Sequence, residues 1–186
     1  MNSRPVVNEK DLLARARRWE KDALVEIYDL YSPGLYRYAM RQLNNQAAAE
    51  DCVAESFERL LKAFHRRGGP QDHLQAYLYR VAHNWVSDYY RRAGPESVQL
   101  DTSLQTDQQT ENAVLQSLEA KAIRQAMALL TPEQRQVIAL KHLEGLRNAE
   151  VAEVMGKSVG AVKALEQRGL AGLERTLQST EDEQRE

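Results

Sequence analysis

The residues best equipped for chemistry lie in one run, "QAYLYRVAHNWVSDYYRR", at positions 75–92. It gathers Tyr77, Tyr79, Trp85, Tyr89, Tyr90, Arg80, Arg91 and Arg92 in a chain that is only 6% aromatic. On a helical wheel Tyr77, Arg80, Asn84, Ser87, Asp88 and Arg91 share one stripe. A tyrosine ring can stack on a base, a guanidinium can meet phosphate, and an Asn amide can pair with a base edge, a combination suited to single-stranded or partly opened DNA. A solvated face with incidental tyrosines is the competing reading. A second stripe, Leu78, Val81, Ala82, Trp85 and Tyr89, is expected to be core, because a small bundle fills its centre with such rings. A third, Tyr79, His83, Val86 and Tyr90, either packs on a neighbour or widens the platform.

A second pattern lies in "RNAEVAEVMGKSVGAVKALEQRG". Ala152, Gly156, Val162 and Leu165 fall at relative spacings 0, 4, 10 and 13, as two helices crossing at a tight turn require. Ala152 is small enough for close approach, Gly156 permits positive φ, and Val162 and Leu165 pack the second helix back on the first. The pattern predicts a helix-turn-helix whose second helix starts at Ser158, with a plain helical hairpin as the alternative. Ser158 then serves as N-cap and phosphate contact, Lys163 and Arg168 are the long cations, and Gln167 reaches toward a base edge. Gly160, Ala161 and Ala164 are short, so such a helix approaches DNA closely but makes few bidentate contacts. DNA shape is then expected to supply much of its discrimination.

These faces need helices to carry them, and the periodicity is helical throughout, without an alternating β-branched run. It predicts helices at 8–19, 20–31, 33–43, 46–65, 72–92, 110–130, 132–144, 148–155 and 159–177. Asn8 before "EKD", Ser32 before Pro33 and Thr131 before "PEQ" carry N-terminal signals. Between the helical runs, "GPESVQLDTSLQTDQQTE" is polar and starts with a Gly-Pro breaker. Residues 93–120 hold Glu96, Asp101, Asp107, Glu111 and Glu119 with no Lys or Arg. The fold class is therefore all-α, with helical domains at 1–92 and 119–177, a flexible acidic linker at 93–118 and an acidic tail at 178–186.

Composition narrows the function further. The 186 residues are 28% charged and 42% hydrophobic with a net charge of −2, the balance of a soluble protein. No apolar run spans a bilayer and no signal-peptide pattern opens the chain, so a cytoplasmic location without membrane insertion is expected. Cys52 is the one cysteine, which excludes an internal disulfide, and it reads as a small apolar residue. There is no Gly-rich phosphate loop, and His65, His73, His83 and His142 lack metal-ligand spacing. No cofactor and no catalytic residue are expected. A regulator that binds an operator alone through its helix-turn-helix is the reading from another class.

Both halves resemble one family. "AAAEDCVAESFERLLKAF" with "LQAYLYRVAHNWVSDYYRR" is similar to region 2 of sigma-70-type initiation factors, and "AMALLTPEQRQVIALKHLEGLRNAEVAEVMGKSVGAVKALEQRGLAGL" is similar to their region 4. With nothing resembling regions 1 or 3 as folded domains, the match is to the extracytoplasmic-function (ECF) type. The resemblance implies a dissociable, non-enzymatic subunit of core RNA polymerase that recognises −35 and −10 promoter elements and helps melt the duplex. It implies docking on the β′ clamp helices through 46–65, where Asp51, Glu55 and Glu58 form one acidic face over a core of Phe57, Leu60 and Leu61. The β flap is a further implied contact, and an anti-sigma factor a further partner. Tyr77, Arg80, Asn84, Asp88, Arg91 and Arg92 then belong to −10 reading, and Ser158, Ala161, Lys163, Gln167 and Arg168 to −35 reading. Two departures stand out. "GLRN" replaces the family's "GLS", which makes Asn148 the expected cap, and "VKAL" replaces "VKSR", so Leu165 stands where a cation is common.

Overall fold

Asn8 starts the first helix as its sequence context requires: its side chain accepts from the Asp11 amide, and Glu9 and Asp11 place acid in the first turn. The computed structural model describes residues 8–93, 123 and 125–183. These residues contain no strand, and the fold is all-α. The linker beyond Ala93, the first part of the helix expected at 110–130 and the end of the acidic tail lie outside the described residues.

The chain divides into two compact units. The first contains α1 (Glu9–Arg17), α2 (Lys21–Leu43), α3 (Gln46–His65) and α4 (Leu74–Ala93). Leu12 and Leu13 of α1, Ile27, Leu35 and Tyr38 of α2, Leu60 of α3, and Leu74, Leu78 and Tyr79 of α4 are fully buried together. The Tyr38 and Tyr79 rings meet edge to face at 5.4 Å, an arrangement that adds to the area they bury. Asn45 caps α3 by accepting from the Ala48 amide at 2.9 Å.

The break expected at Ser32–Pro33 does not occur, and α2 runs through Pro33. An interior proline costs about 3 kcal/mol. The run beyond it buries Leu35, Tyr38, Ala39 and Leu43, and each large apolar side chain contributes about 1.5–3 kcal/mol. Burial wins. Pro33 and Asp29, whose carbonyl loses its amide partner, both face solvent, where water can satisfy it.

In the second unit a helical stretch at 125–128 leads to α5 (Pro132–Ile138), which widens into a π turn at Ala139–Leu143. Then come α6 (Asn148–Met155) and α7 (Val159–Glu183). Thr131 opens α5 with the expected cap as a full capping box: its hydroxyl accepts from the Gln134 amide, and the Gln134 side chain accepts from the Thr131 amide. Arg135 donates to the carbonyls of Met127, Ala128 and Leu130, which closes the C-terminal end of the preceding stretch. Val137, Leu140, Val151, Val154 and Val162 form the core.

Two boundaries differ from expectation. Asn148 does not cap α6 but is its first residue; the Arg147 carbonyl accepts the Val151 amide, and Glu150 accepts the Arg147 amide at 2.7 Å. The carboxylate reaching back satisfies the amide of Arg147, the residue that precedes the helix, as the second half of a capping box does. At the other end α7 continues to Glu183 rather than stopping at 177, because no Gly or Pro interrupts the sequence there.

Candidate nucleic-acid interface

Helix α4 carries the first group of expected contact residues. Tyr77 is half-buried, with the Arg80 guanidinium 5.7 Å from its ring centroid, so ring and cation form one surface. Asn84 is exposed one turn further on. Asp88 accepts from Arg91 at i, i+3 and so orients that side chain, which is 78% exposed. Arg92 is exposed as well.

The buried face of α4 is rotated from the expected one. Leu78, Val81 and Ala82 are buried, and so are Tyr79 and Val86 of the third stripe. Trp85 and Tyr89, expected as core, are instead half-buried, stack on each other at 5.5 Å, and line a surface pocket with Asp88 and Arg92. Tyr90 reaches back to donate to the Gln42 carbonyl at the end of α2. The core therefore lies between two predicted stripes, and an aromatic pair is left at the surface near the arginines.

The start of α4 is held by residues that sequence reasoning did not single out. Glu9 of α1 accepts from the Leu74 amide at 3.3 Å. Arg17, at the other end of α1, donates to the carbonyls of Gly69 and Pro70 at 2.9 and 2.8 Å, with its guanidinium 5.6 Å from the Phe64 ring centroid. The loop so held, 66–73, has positive φ at Arg67, Gly69 and His73. Such a conformation costs a non-glycine residue about 1–2 kcal/mol. The contacts span 52 to 65 positions of sequence, so no local motif signals them.

On α3 the acidic residues are largely self-paired. Glu55 accepts from Arg59 and Glu58 from Lys62, each at 2.6 Å, while Asp51 is exposed. The hydrogen bond from Lys62 holds the Glu58 carboxyl below its ordinary range. Of the expected core residues beneath, only Leu60 is buried. Phe57 and Leu61 are half-buried, and the Phe57 ring lies 4.8 Å from Tyr28, which is 50% exposed. Phe57 therefore lies on a different side of α3 from Asp51 and Glu55, where Tyr28 of α2 covers part of it. Cys52 is buried, and burial pushes its thiol pKa up to about 12, which removes it from nucleophilic chemistry.

In the second unit Gly156 takes positive φ at the turn, and Val162 and Leu165 are buried, as the spacing predicts. The Ser158 hydroxyl accepts from the Ala161 amide at 3.2 Å and caps α7. Lys163, Gln167 and Arg168 are exposed, Ala161 is half-buried, and Arg168 also donates to the Ala164 carbonyl. Leu165, where a cation is common, is packed inside. On the flank, Glu166 accepts from Lys141 at 2.6 Å and contacts His142 at 2.9 Å. The Lys141 hydrogen bond holds the Glu166 carboxyl below its ordinary range; burial opposes it, and the His142 hydrogen bond adds a smaller lowering. No group of three or more His, Cys, Asp or Glu among the described residues is arranged to hold a metal ion.

The comparisons agree with the two-unit organisation. The Sigma-70 region 2 family model matches residues 27–96, and the Sigma-70, region 4 model matches residues 120–173. The ECF RNA polymerase sigma factor SigL of Mycobacterium tuberculosis is 32% identical over 154 residues, covering 82% of this chain and 87% of the relative. The ECF RNA polymerase sigma factor BldN of Streptomyces coelicolor is 33% identical over 171 residues, covering 90% of this chain, and this chain spans 65% of BldN's length. Two solved structures share the fold at 22% identity: CnrH in complex with the cytosolic domain of CnrY (TM-score 0.68, 92% of this chain and 97% of that one), and the sigma factor RpoE in complex with the anti-sigma factor NepR from Bartonella quintana (TM-score 0.65, 82% and 95%). The chain belongs to the ECF RNA polymerase sigma factors.

Proposed function

We propose that this protein binds core RNA polymerase, recognises the −35 and −10 elements of its promoters and promotes duplex opening. The observation that carries the reading is α4, which presents Tyr77 with Arg80, then Asn84, Arg91 and Arg92, on the side of a helix whose other side is core. Breaking a stacked step of duplex costs about 1.4 kcal/mol, and a base stacked on an aromatic side chain recovers about 1–3 kcal/mol. Contacts of this kind shift the duplex toward the open state without hydrolysis.

Each residue set has a distinct task. Tyr77, Arg80 and Asn84 meet opened bases and backbone, Arg91 and Arg92 meet phosphate, and Asp88 orients Arg91. Ser158, Ala161, Lys163, Gln167 and Arg168 form the −35 surface. Asp51, Glu55 and Glu58 dock on the β′ clamp helices, and the β flap is a further polymerase contact. The working domains are 1–92 and 119–177, joined by the linker 93–118. The reading assigns no bond-making chemistry to the chain. It places the protein in the cytoplasm with the polymerase, and no helix among the described residues is long and apolar enough to cross a membrane. An anti-sigma factor is the regulatory partner it proposes.

Transcription with purified core polymerase on a randomised promoter library, with and without the protein, tests this. Starts that appear only with it, downstream of a shared −35 and −10 pair, are expected. Tight binding to duplex DNA by the protein alone, without new starts, would favour an operator-binding regulator.

A further inference from the structure

The geometry points to Arg17 and Glu9 of α1 as positioning residues for −10 reading: they clamp the α3–α4 loop and the first turn of α4, and so set where Tyr77 and Arg80 stand. This rests on the function proposed above, which gives the Tyr77 surface its ligand, opened promoter DNA.

Three observations carry it. Arg17 donates from one terminal nitrogen, Nη2, to two successive loop carbonyls, Gly69 and Pro70, while its guanidinium lies near the Phe64 ring of α3. One side chain therefore fixes the loop to the helix it leaves. Glu9 does the equivalent for the helix the loop enters, by accepting the Leu74 amide. The Tyr77 amide in turn bonds to the His73 carbonyl, so Tyr77 sits on the first hydrogen-bonded turn that this cap holds. Finally, the clamped segment includes two non-glycine residues at positive φ, Arg67 and His73. Strained backbone persists where its surroundings over-determine it, and here α1, with the end of α3, holds the residues on either side.

The clamp reduces what DNA binding must order. A ring and cation already in place stack on an exposed base without first immobilising a loop and a helix end. Arg17 suits this task better than Lys would, because its planar guanidinium can stay by a ring while one of its nitrogens donates twice.

The test uses the full chain with core polymerase and compares Arg17→Met, Arg17→Lys, Glu9→Ala and Glu9→Gln. Hydrogen exchange at residues 66–77 reports the clamp itself, core affinity reports assembly, and starts on the randomised library report −35 and −10 preference separately. Arg17→Met and Glu9→Ala are expected to speed exchange at 66–77 and to weaken −10 base preference and permanganate reactivity about fivefold or more, with core affinity and −35 preference within about twofold of the parent. Glu9→Gln, which keeps an acceptor, is expected to restore most of the preference, and Arg17→Lys only part. Unchanged −10 preference despite faster exchange would overturn the proposal. So would a parallel loss of core affinity, which would mark Arg17 and Glu9 as general supports of the fold. If the parent protein directs no promoter-specific starts, the function reading falls, and the positioning role falls with it.

Discussion

Helices α4 and α7 both present a polar face over a buried one, yet the two polar faces differ in kind. On α4 the outward residues are large: a tyrosine under an arginine, an exposed Asn, and a Trp–Tyr stack beside two further arginines. The start of α7 is bare by comparison, with Ser158, Gly160, Ala161 and Ala164 around one lysine. Rings need unstacked bases to act on, whereas a smooth helix can lie close to an intact groove and read its shape. The contrast fits the proposal that the first unit opens the duplex and the second docks on it.

The largest effect should come from removing the rings and amide. Tyr77→Ala and Asn84→Ala are each expected to reduce promoter opening by about 1–3 kcal/mol, roughly 5- to 150-fold, with core affinity unchanged. Normal permanganate reactivity of −10 thymines would break the comparison at its first term. Next in size, charge reversal at Asp51 and Glu55 should weaken assembly with core polymerase about tenfold, read by competition against the parent protein, while −35 binding of a preassembled holoenzyme stays intact. An unchanged affinity would remove α3 from the interface.

Smaller effects are expected on α7. Ser158→Ala removes its cap and should lower the stability of the second unit by about 1 kcal/mol, seen as faster hydrogen exchange at the start of that helix. Lys163→Ala should weaken −35 binding uniformly across sequences and reduce the salt slope by about 1. A parent-like slope would mean that Lys163 faces away from phosphate.

The smallest effect concerns pH. Glu166 has a folded pKa below its unfolded value of about 4.3, so the stability it contributes is fully present above that value and lost as pH falls through the folded pKa. The difference in melting temperature between the parent and Glu166→Gln should therefore close as pH drops below about 4. A gap that persists in acid would mean that packing, rather than charge, holds α7 to the π turn.

What the sequence made legible, and what it hid, follows from the range of the forces involved. Caps at Asn8, Thr131 and Ser158 act within three residues, so residue type alone exposed them. The helix-turn-helix was legible for the same reason, with Gly156, Val162 and Leu165 placed as their spacing required. Pro33 misled because its local penalty is set against burial of distant partners. Trp85 and Tyr89 misled because periodicity gives the direction of a side chain, not whether another helix is there to cover it. The clamp of Arg17 and Glu9 left no trace because its partners are backbone groups, which every residue carries. The family resemblance supplied the meaning of the faces; the packing behind them came only from the structure.

The ion pairs along α3 bear on how this protein avoids the wrong surfaces. Glu55 and Glu58 are already occupied by Arg59 and Lys62, so a cationic visitor must displace an existing partner, and its gain is the difference between two similar contacts. A stray basic tail gains almost nothing by that exchange. A partner whose cations also reach Asp51, exposed on the same face, gains a contact there beyond that exchange. On the docking role proposed for α3, the internal pairs thus discourage casual cations and leave the face to a partner that matches all three carboxylates at once.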